Sequence, residues 1–187
     1  GLAMTGLGRC QDALTAYRQA LEAYRQVEGT ERRQALVLFN IGDCLEDLRH
    51  YQEAVTAHEQ SLDLYQQIKG TERQQAICRE NMANCLRRAG RPEEALAAYR
   101  QALETYRLTE DSERDQADCM LSTGNVLDDV GRYEEALTAY RQALETYRRV
   151  EGTTQVQGIC LRNTGNTLRR AGRPEEALSA YRQALEA

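Results

Sequence analysis

Residues 90–107 read GRPEEALAAYRQALETYR, and the stretch returns as GRYEEALTAYRQALETYR at 131–148 and GRPEEALSAYRQALEA at 172–187. Weaker copies stand further upstream, as RCQDALTAYRQALEAYR from Arg9 and HYQEAVTAHEQSLDLYQ from His50. The openings at Arg9, His50, Arg91, Arg132 and Arg173 are each 41 residues apart. A fixed period of this size marks a chain made of one supersecondary unit that buries its apolar face against copies of itself.

Each unit holds two amphipathic helices. In the third, Ala95, Tyr99, Ala102, Leu103 and Tyr106 fall at i, i+4, i+7, i+8 and i+11, one apolar stripe on a helix. Upstream of it, Cys78, Met82, Cys85, Leu86 and Ala89 repeat the same spacing. Gly90, Gly131 and Gly172 fit helix C-termini, where the left-handed conformation is cheap only for glycine. Pro92 and Pro174 then fit the first turn of the next helix, where a missing N–H costs nothing, and Tyr51 and Tyr133 are equally acceptable there. Thr71 with Gln74, and Thr154 with Gln157, match a capping box. The expected helices cover 10–28, 31–48, 51–69, 72–88, 92–109, 112–130, 133–151, 154–170 and 174–186. Leu45, Leu86, Leu127, Leu168, Ala54, Ala95, Ala136, Ala177, Leu103 and Leu144 are the expected core. The fold class is all-α, a solenoid of antiparallel helix pairs with about four and a half units over residues 1–187 and junctions near 8/9, 49/50, 90/91, 131/132 and 172/173.

The totals agree with a folded, water-facing chain. Of 187 residues, 41% are hydrophobic and 28% charged, with a net charge of −5 spread along the sequence. Nothing there favours nucleic-acid or membrane partners, and no stretch approaches the ~18 apolar residues of a membrane span. Cys78, Cys119 and Cys160 share one repeat position with Val37, and Cys44 and Cys85 share another with Val126 and Thr167. Cysteine that interchanges with valine and threonine is a small buried side chain, so free thiols and a reducing cytoplasm are expected.

No constellation points to catalysis, a metal or a cofactor. His50 takes an arginine position and His58 a tyrosine position, so neither looks like a ligand. The Glu93–Glu94 pair and its copies lie in a first helical turn, where negative charge complements the helix dipole. No phosphate loop or nucleophile elbow is present.

What varies is one face of the first helix of each unit. Ile77, Asn81, Asn84 and Arg88 lie at i, i+4, i+7 and i+11; the same face reads Leu36, Asn40, Asp43, Asp47 in the second unit. It reads Asp118, Ser122, Asn125, Asp129 in the fourth and Ile159, Asn163, Asn166, Arg170 in the fifth. An asparagine amide offers one acceptor and two donors, which suits the backbone of an extended segment. It equally suits bonds that set repeat packing. Phe39, Glu80, Leu121 and Arg162 neighbour this face and differ in every unit, as selectivity residues would. Acidic pairs Glu46–Asp47 and Asp128–Asp129 alternate with basic pairs Arg87–Arg88 and Arg169–Arg170, an 82-residue superperiod that suggests a ladder of ion pairs between repeats.

The chain resembles the tetratricopeptide repeat. The matching residues are Leu38, Ile41, Gly42, Leu45, Ala54 and His58 in the second unit and Met120, Thr123, Gly124, Leu127, Ala136 and Tyr140 in the fourth. In the fifth they are Leu161, Thr164, Gly165, Leu168, Ala177 and Tyr181, and in the third Arg79, Met82, Ala83, Leu86, Ala95 and Tyr99. The period of 41 exceeds the family's usual one and is similar to kinesin-light-chain and bacterial regulatory arrays. The resemblance implies a right-handed superhelix whose concave groove, lined by Asn40, Asp43, Asn81, Asn84, Arg88, Ser122, Asn125, Asn163, Asn166 and Arg170, holds a peptide or protein partner. Gly1 aligns with Gly42 and Ala187 with Thr105, so a fragment of a longer array is expected; the alternative is a structural, self-associating spacer whose uncapped ends stack head to tail.

Overall fold

The computed structural model describes residues 2–186, with side chains from Arg9 onward. The described residues form nine α-helices and no strand: α1 (Leu2–Arg25), α2 (Glu31–Asp47), α3 (Tyr51–Gln66), α4 (Glu72–Arg88), α5 (Pro92–Tyr106), α6 (Glu113–Asp129), α7 (Tyr133–Tyr147), α8 (Thr154–Arg170) and α9 (Pro174–Glu186). They form two compact units, Gly1–Thr105 and Tyr106–Ala187. In the first, α1 packs on α2, α2 on α3 and α3 on α4; in the second, α6 packs on α7, α7 on α8 and α8 on α9. Neighbouring first helices also touch, α2 with α4 and α6 with α8. The fold is an all-α repeat solenoid.

The turn inside each repeat is the expected one. Gly90, Gly131 and Gly172 have φ of 76°, 79° and 77°. Around Gly90, the Arg91 N–H donates to the Leu86 carbonyl and the Gly90 N–H to the Arg87 carbonyl, the Schellman pattern. The second repeat closes the same way, but with Arg49 at φ 63° in the glycine place.

The turn between repeats differs from the sequence expectation. The second helices stop at Arg25, Gln66, Tyr106 and Tyr147, three or four residues before 28, 69, 109 and 151. The cause is a buried hydroxyl. Thr71 Oγ1 donates to the carbonyls of Tyr65 (2.6 Å) and Ile68 (2.8 Å), capping the end of α3. Thr30 and Thr153 do the same for Tyr24 and Tyr147, and Ser112 for Tyr106. The capping boxes therefore do not form. Thr71 sits at φ −118°, ψ 18°, outside the extended region an N-cap uses, and its side chain makes no cap bond to the helix that follows. Its partner is Gln75 rather than Gln74, and in the last copy the residue is Thr153 rather than Thr154, with Gln157.

The break expected at 8/9 is also absent, because α1 runs unbroken from Leu2 to Arg25. Continuing the helix keeps its backbone N–H groups paired.

The leucines at 45, 86, 127 and 168 and the alanines at 54, 95, 136 and 177 are all buried. Leu103 and Leu144 are only half-buried. They sit at the edge of a stripe whose centre is filled by Tyr99 and Tyr106, or by Tyr140 and Tyr147, each at most 1% exposed. All six cysteines are free; Cys78, Cys85, Cys119 and Cys160 are buried, while Cys10 and Cys44 are half-buried. Burial pushes the Cys78 thiol up to about 11 and that of Cys160 to about 12, which keeps both protonated and unreactive.

Candidate functional site

Four residues of α2 and four of α4 make the variable face of the first unit. The 3.6-residue turn sets Leu36, Asn40, Asp43 and Asp47 in one row and Ile77, Asn81, Asn84 and Arg88 in the other. Two contacts tie the rows together. Asn81 Nδ2 donates to Asp43 Oδ1 at 3.0 Å, and Arg88 Nε pairs with Glu46 Oε1 at 3.0 Å. Shifted by 82 residues, the second unit repeats both: Asn163 Nδ2 donates to Asn125 Oδ1 at 2.9 Å, and Arg170 pairs with Asp128 at 2.6 Å. Arg170 also lies over the Tyr133 ring, 5.5 Å from its centroid. One residue of each charged pair thus enters an inter-repeat ion pair, Arg88 with Glu46 and Arg170 with Asp128.

The asparagines are held from behind by tyrosines. Tyr99 Oη donates to Asn84 Oδ1 at 2.6 Å, Tyr140 to Asn125 at 2.9 Å and Tyr181 to Asn166 at 2.8 Å. Each carbonyl oxygen is spent inside the fold. The Nδ2 donors of these three residues are the groups left to face outward. Asn40, Ser122, Phe39, Glu80 and Leu121 are half-buried and Arg162 is exposed.

The second repeat replaces this arrangement. His58 holds the tyrosine place and Asp43 the asparagine place. The His58 side chain is fully buried, its Nε2 lies 3.7 Å from Asp43 Oδ1, and neither ring nitrogen has a hydrogen-bond partner. Phe39 meets the imidazole edge-on at 5.2 Å. Gly42 lies against the ring so closely that a Cβ there would sit 2.5 Å from it. Burial holds the His58 pKa down to about 4, so the imidazole is neutral at pH 7 and the contact is not an ion pair. Burial also pushes Asp43 up to about 6; the Asn81 bond opposes this, and Glu46 and Asp47 add to it. One helical turn away, Leu36, Phe39, Tyr65, Gln74 and Ile77 line an apolar pocket of about 180 Å³.

A family model described as tetratricopeptide repeat matches residues 1–67, 34–108 and 116–187, and a second of the same description matches 80–149. The chain belongs to the tetratricopeptide-repeat family. No curated protein matches it significantly. Among solved structures, BtubC (BKLC) from P. vanneervenii superposes with a TM-score of 0.85 at 19% identity, over 96% of this chain and 73% of that one. The apo form of RapI gives 0.83 at 19% identity, over 95% of this chain and 48% of RapI. Bacillus thuringiensis PlcR, in complex with the peptide PapR7 and DNA, gives 0.74 at 18% identity, over 98% of this chain and 65% of PlcR. The chain therefore spans about half the length of RapI and two thirds of PlcR. At such identities the likeness is one of fold.

As a tetratricopeptide repeat, the chain places its family glycines, Gly124 and Gly165, under Tyr140 and Tyr181 as Gly42 lies under His58. Sequence reasoning missed the bond between these aromatics and the asparagines. The signal was present as a constant 15-residue offset, Asn84 to Tyr99, Asn125 to Tyr140 and Asn166 to Tyr181, with His58 and Asp43 changing together. Among the described residues, no three His, Cys, Asp or Glu side chains gather as a metal site, and no helix is long and apolar enough to cross a membrane.

Proposed function

We propose that the chain is a non-catalytic protein-interaction scaffold, one repeat array over residues 1–187 whose first-helix faces form a groove for an extended peptide or partner segment. We place it in a reducing cytoplasm, consistent with six free thiols. The observation that carries the reading is the pinning of Asn84, Asn125 and Asn166. A tyrosine hydroxyl fixes each amide plane, so the outward Nδ2 donors lose little entropy when they meet a ligand carbonyl. PlcR, of the same fold, is seen with the peptide PapR7, and a Rap protein with competence and sporulation factor.

The test replaces Asn84, Asn125 and Asn166 together by Asp. Aspartate keeps the acceptor that each tyrosine needs, removes the donors and adds a carboxylate at each position, so Asn84, Asn125 and Asn166 are also replaced together by Ala to separate loss of the donors from added charge. Capture from the native lysate with wild type and both triple variants, read by mass spectrometry, should show a partner lost from the variants. Identical recovery by all of these proteins would refute the groove.

A further inference from the structure

The face shared by α2 and α4 combines three features. The first is the apolar pocket, rimmed by Leu36, which is 52% exposed, and by Phe39 and Ile77. The second is a pair of carboxylates one turn apart, Asp43 and Asp47; Asp43 remains 45% exposed. Arg88, on the facing helix, pairs with Glu46. The third is the buried imidazole of His58, with two unpartnered nitrogens and its Nε2 directed at Asp43. At the matching positions 82 residues on, Asp118 replaces Leu36, Asn125 replaces Asp43 and Tyr140 replaces His58.

We propose that the first unit selects an extended peptide segment carrying an apolar side chain two or three residues from a lysine or arginine, with the apolar group in the Leu36–Phe39–Ile77 pocket and the cation on Asp43. This rests on the scaffold reading and names what the groove takes. The spacing follows from helix geometry. Phe39 and Leu36 precede Asp43 by four and seven residues, a rise of roughly 6–10 Å along α2, which an extended segment covers in about two or three residues.

The cation follows from charge and from His58. A guanidinium or ammonium on the open side of Asp43 holds that carboxyl ionised against its burial. An ionised Asp43 is then the acceptor that the Nε2–H tautomer of His58 lacks. Closing the 3.7 Å separation to hydrogen-bond length needs a movement of only about half an ångström. An anionic or purely apolar segment leaves His58 unsatisfied and sets its own charge, or none, against Asp43 and Asp47.

The test selects a display library of random nonapeptides on immobilised protein, wild type and Asp43→Asn in parallel, and titrates an enriched peptide by fluorescence anisotropy. The variant is a sound control because asparagine already occupies this repeat position at 84, 125 and 166. On wild type, enriched sequences should place Leu, Ile, Met or Phe two or three residues from Arg or Lys, and Asp43→Asn should weaken binding at least about tenfold. Enriched peptides without a basic residue, or basic peptides that bind both proteins equally, overturn this assignment and leave the scaffold reading standing. Absence of any enrichment on wild type overturns both.

Discussion

His58 Nε2 stands 3.7 Å from Asp43 Oδ1, in the place where Tyr140 Oη donates to Asn125 Oδ1 at 2.9 Å. The shorter contact is a hydrogen bond and the longer one is not. The second repeat therefore buries an imidazole with both nitrogens unsatisfied, a cost of about 1–3 kcal/mol in comparable sites. The double substitution His58→Tyr with Asp43→Asn restores the pair found in three other repeats, and Gly42 already leaves room for the larger ring. Urea denaturation should show the double variant more stable by about 1–3 kcal/mol, with most of the gain absent from either single change. A gain already complete in one single variant would show that the two positions act independently.

Acid should separate the two members of this pair. His58 titrates near 4 in the fold, below the 6.5 of an ordinary histidine. A depressed histidine contributes stability that is present above 6.5 and is lost as pH falls toward 4, on the order of 3 kcal/mol at most. Asp43 is raised to about 6 from 3.8, so its contribution has the opposite sign and returns stability as pH falls from 6 toward 4. In wild type the two offset each other. Asp43→Asn removes the compensating half, so its urea midpoint should fall more steeply than that of wild type between pH 6.5 and 4. His58→Tyr should flatten or reverse that slope. Parallel curves for wild type and Asp43→Asn would contradict the opposed titrations.

Two positions carry a side chain where the repeat uses glycine. Arg49 has φ 63° in the place of Gly90, Gly131 and Gly172, and Asp111 has φ 51° in the place of Gly29, Gly70 and Gly152. A left-handed conformation costs a side-chain-bearing residue about 1–2 kcal/mol, and glycine gives back part of that through the unfolded chain. Arg49→Gly should raise stability by about 0.5–1 kcal/mol. Asp111→Gly should gain less, because a short polar side chain tolerates this region better. Thermal melts of the two variants check both the sign and the order.

The repeat period, the helix pairs and the glycine turns were legible because each rests on local chemistry that recurs every 41 residues. Leu45 and Ala54 could be placed in the core from the helical stripe alone. Three features were not legible from spacing within one helix. The asparagine–tyrosine bonds join two helices of a repeat, and helical periodicity is blind to anything that crosses between helices. Leu103 lost its core place to Tyr99 and Tyr106, because volume decides which part of an apolar stripe faces inward. The capping box at Thr71 failed because the same hydroxyl has two possible helices to serve. The sequence does not say whether it turns forward to α4 or back to α3, and the buried carbonyl ends of α3 take it.

That choice predicts an uneven response to conservative changes at Thr71. Its hydroxyl is fully buried and bridges the Tyr65 and Ile68 carbonyls at the end of α3, the first of which also accepts from the Ile68 N–H, and Gln75 Nε2 reaches toward the same hydroxyl oxygen at 3.3 Å. Thr71→Val keeps the shape and removes the hydroxyl, taking its bonds away from both carbonyls at a cost of about 1–3 kcal/mol. Thr71→Ser keeps the hydroxyl, and Ser112 already does this work at the end of α5, donating to the Tyr106 and Thr109 carbonyls. The serine variant should therefore stay within about 1 kcal/mol of wild type, the loss of one methyl group. An N-cap role serving α4 would give the opposite structural signature, with amide exchange rising at the start of α4 in the valine variant. The backward bonds require exchange to rise instead at Thr71 and in the turn that closes α3.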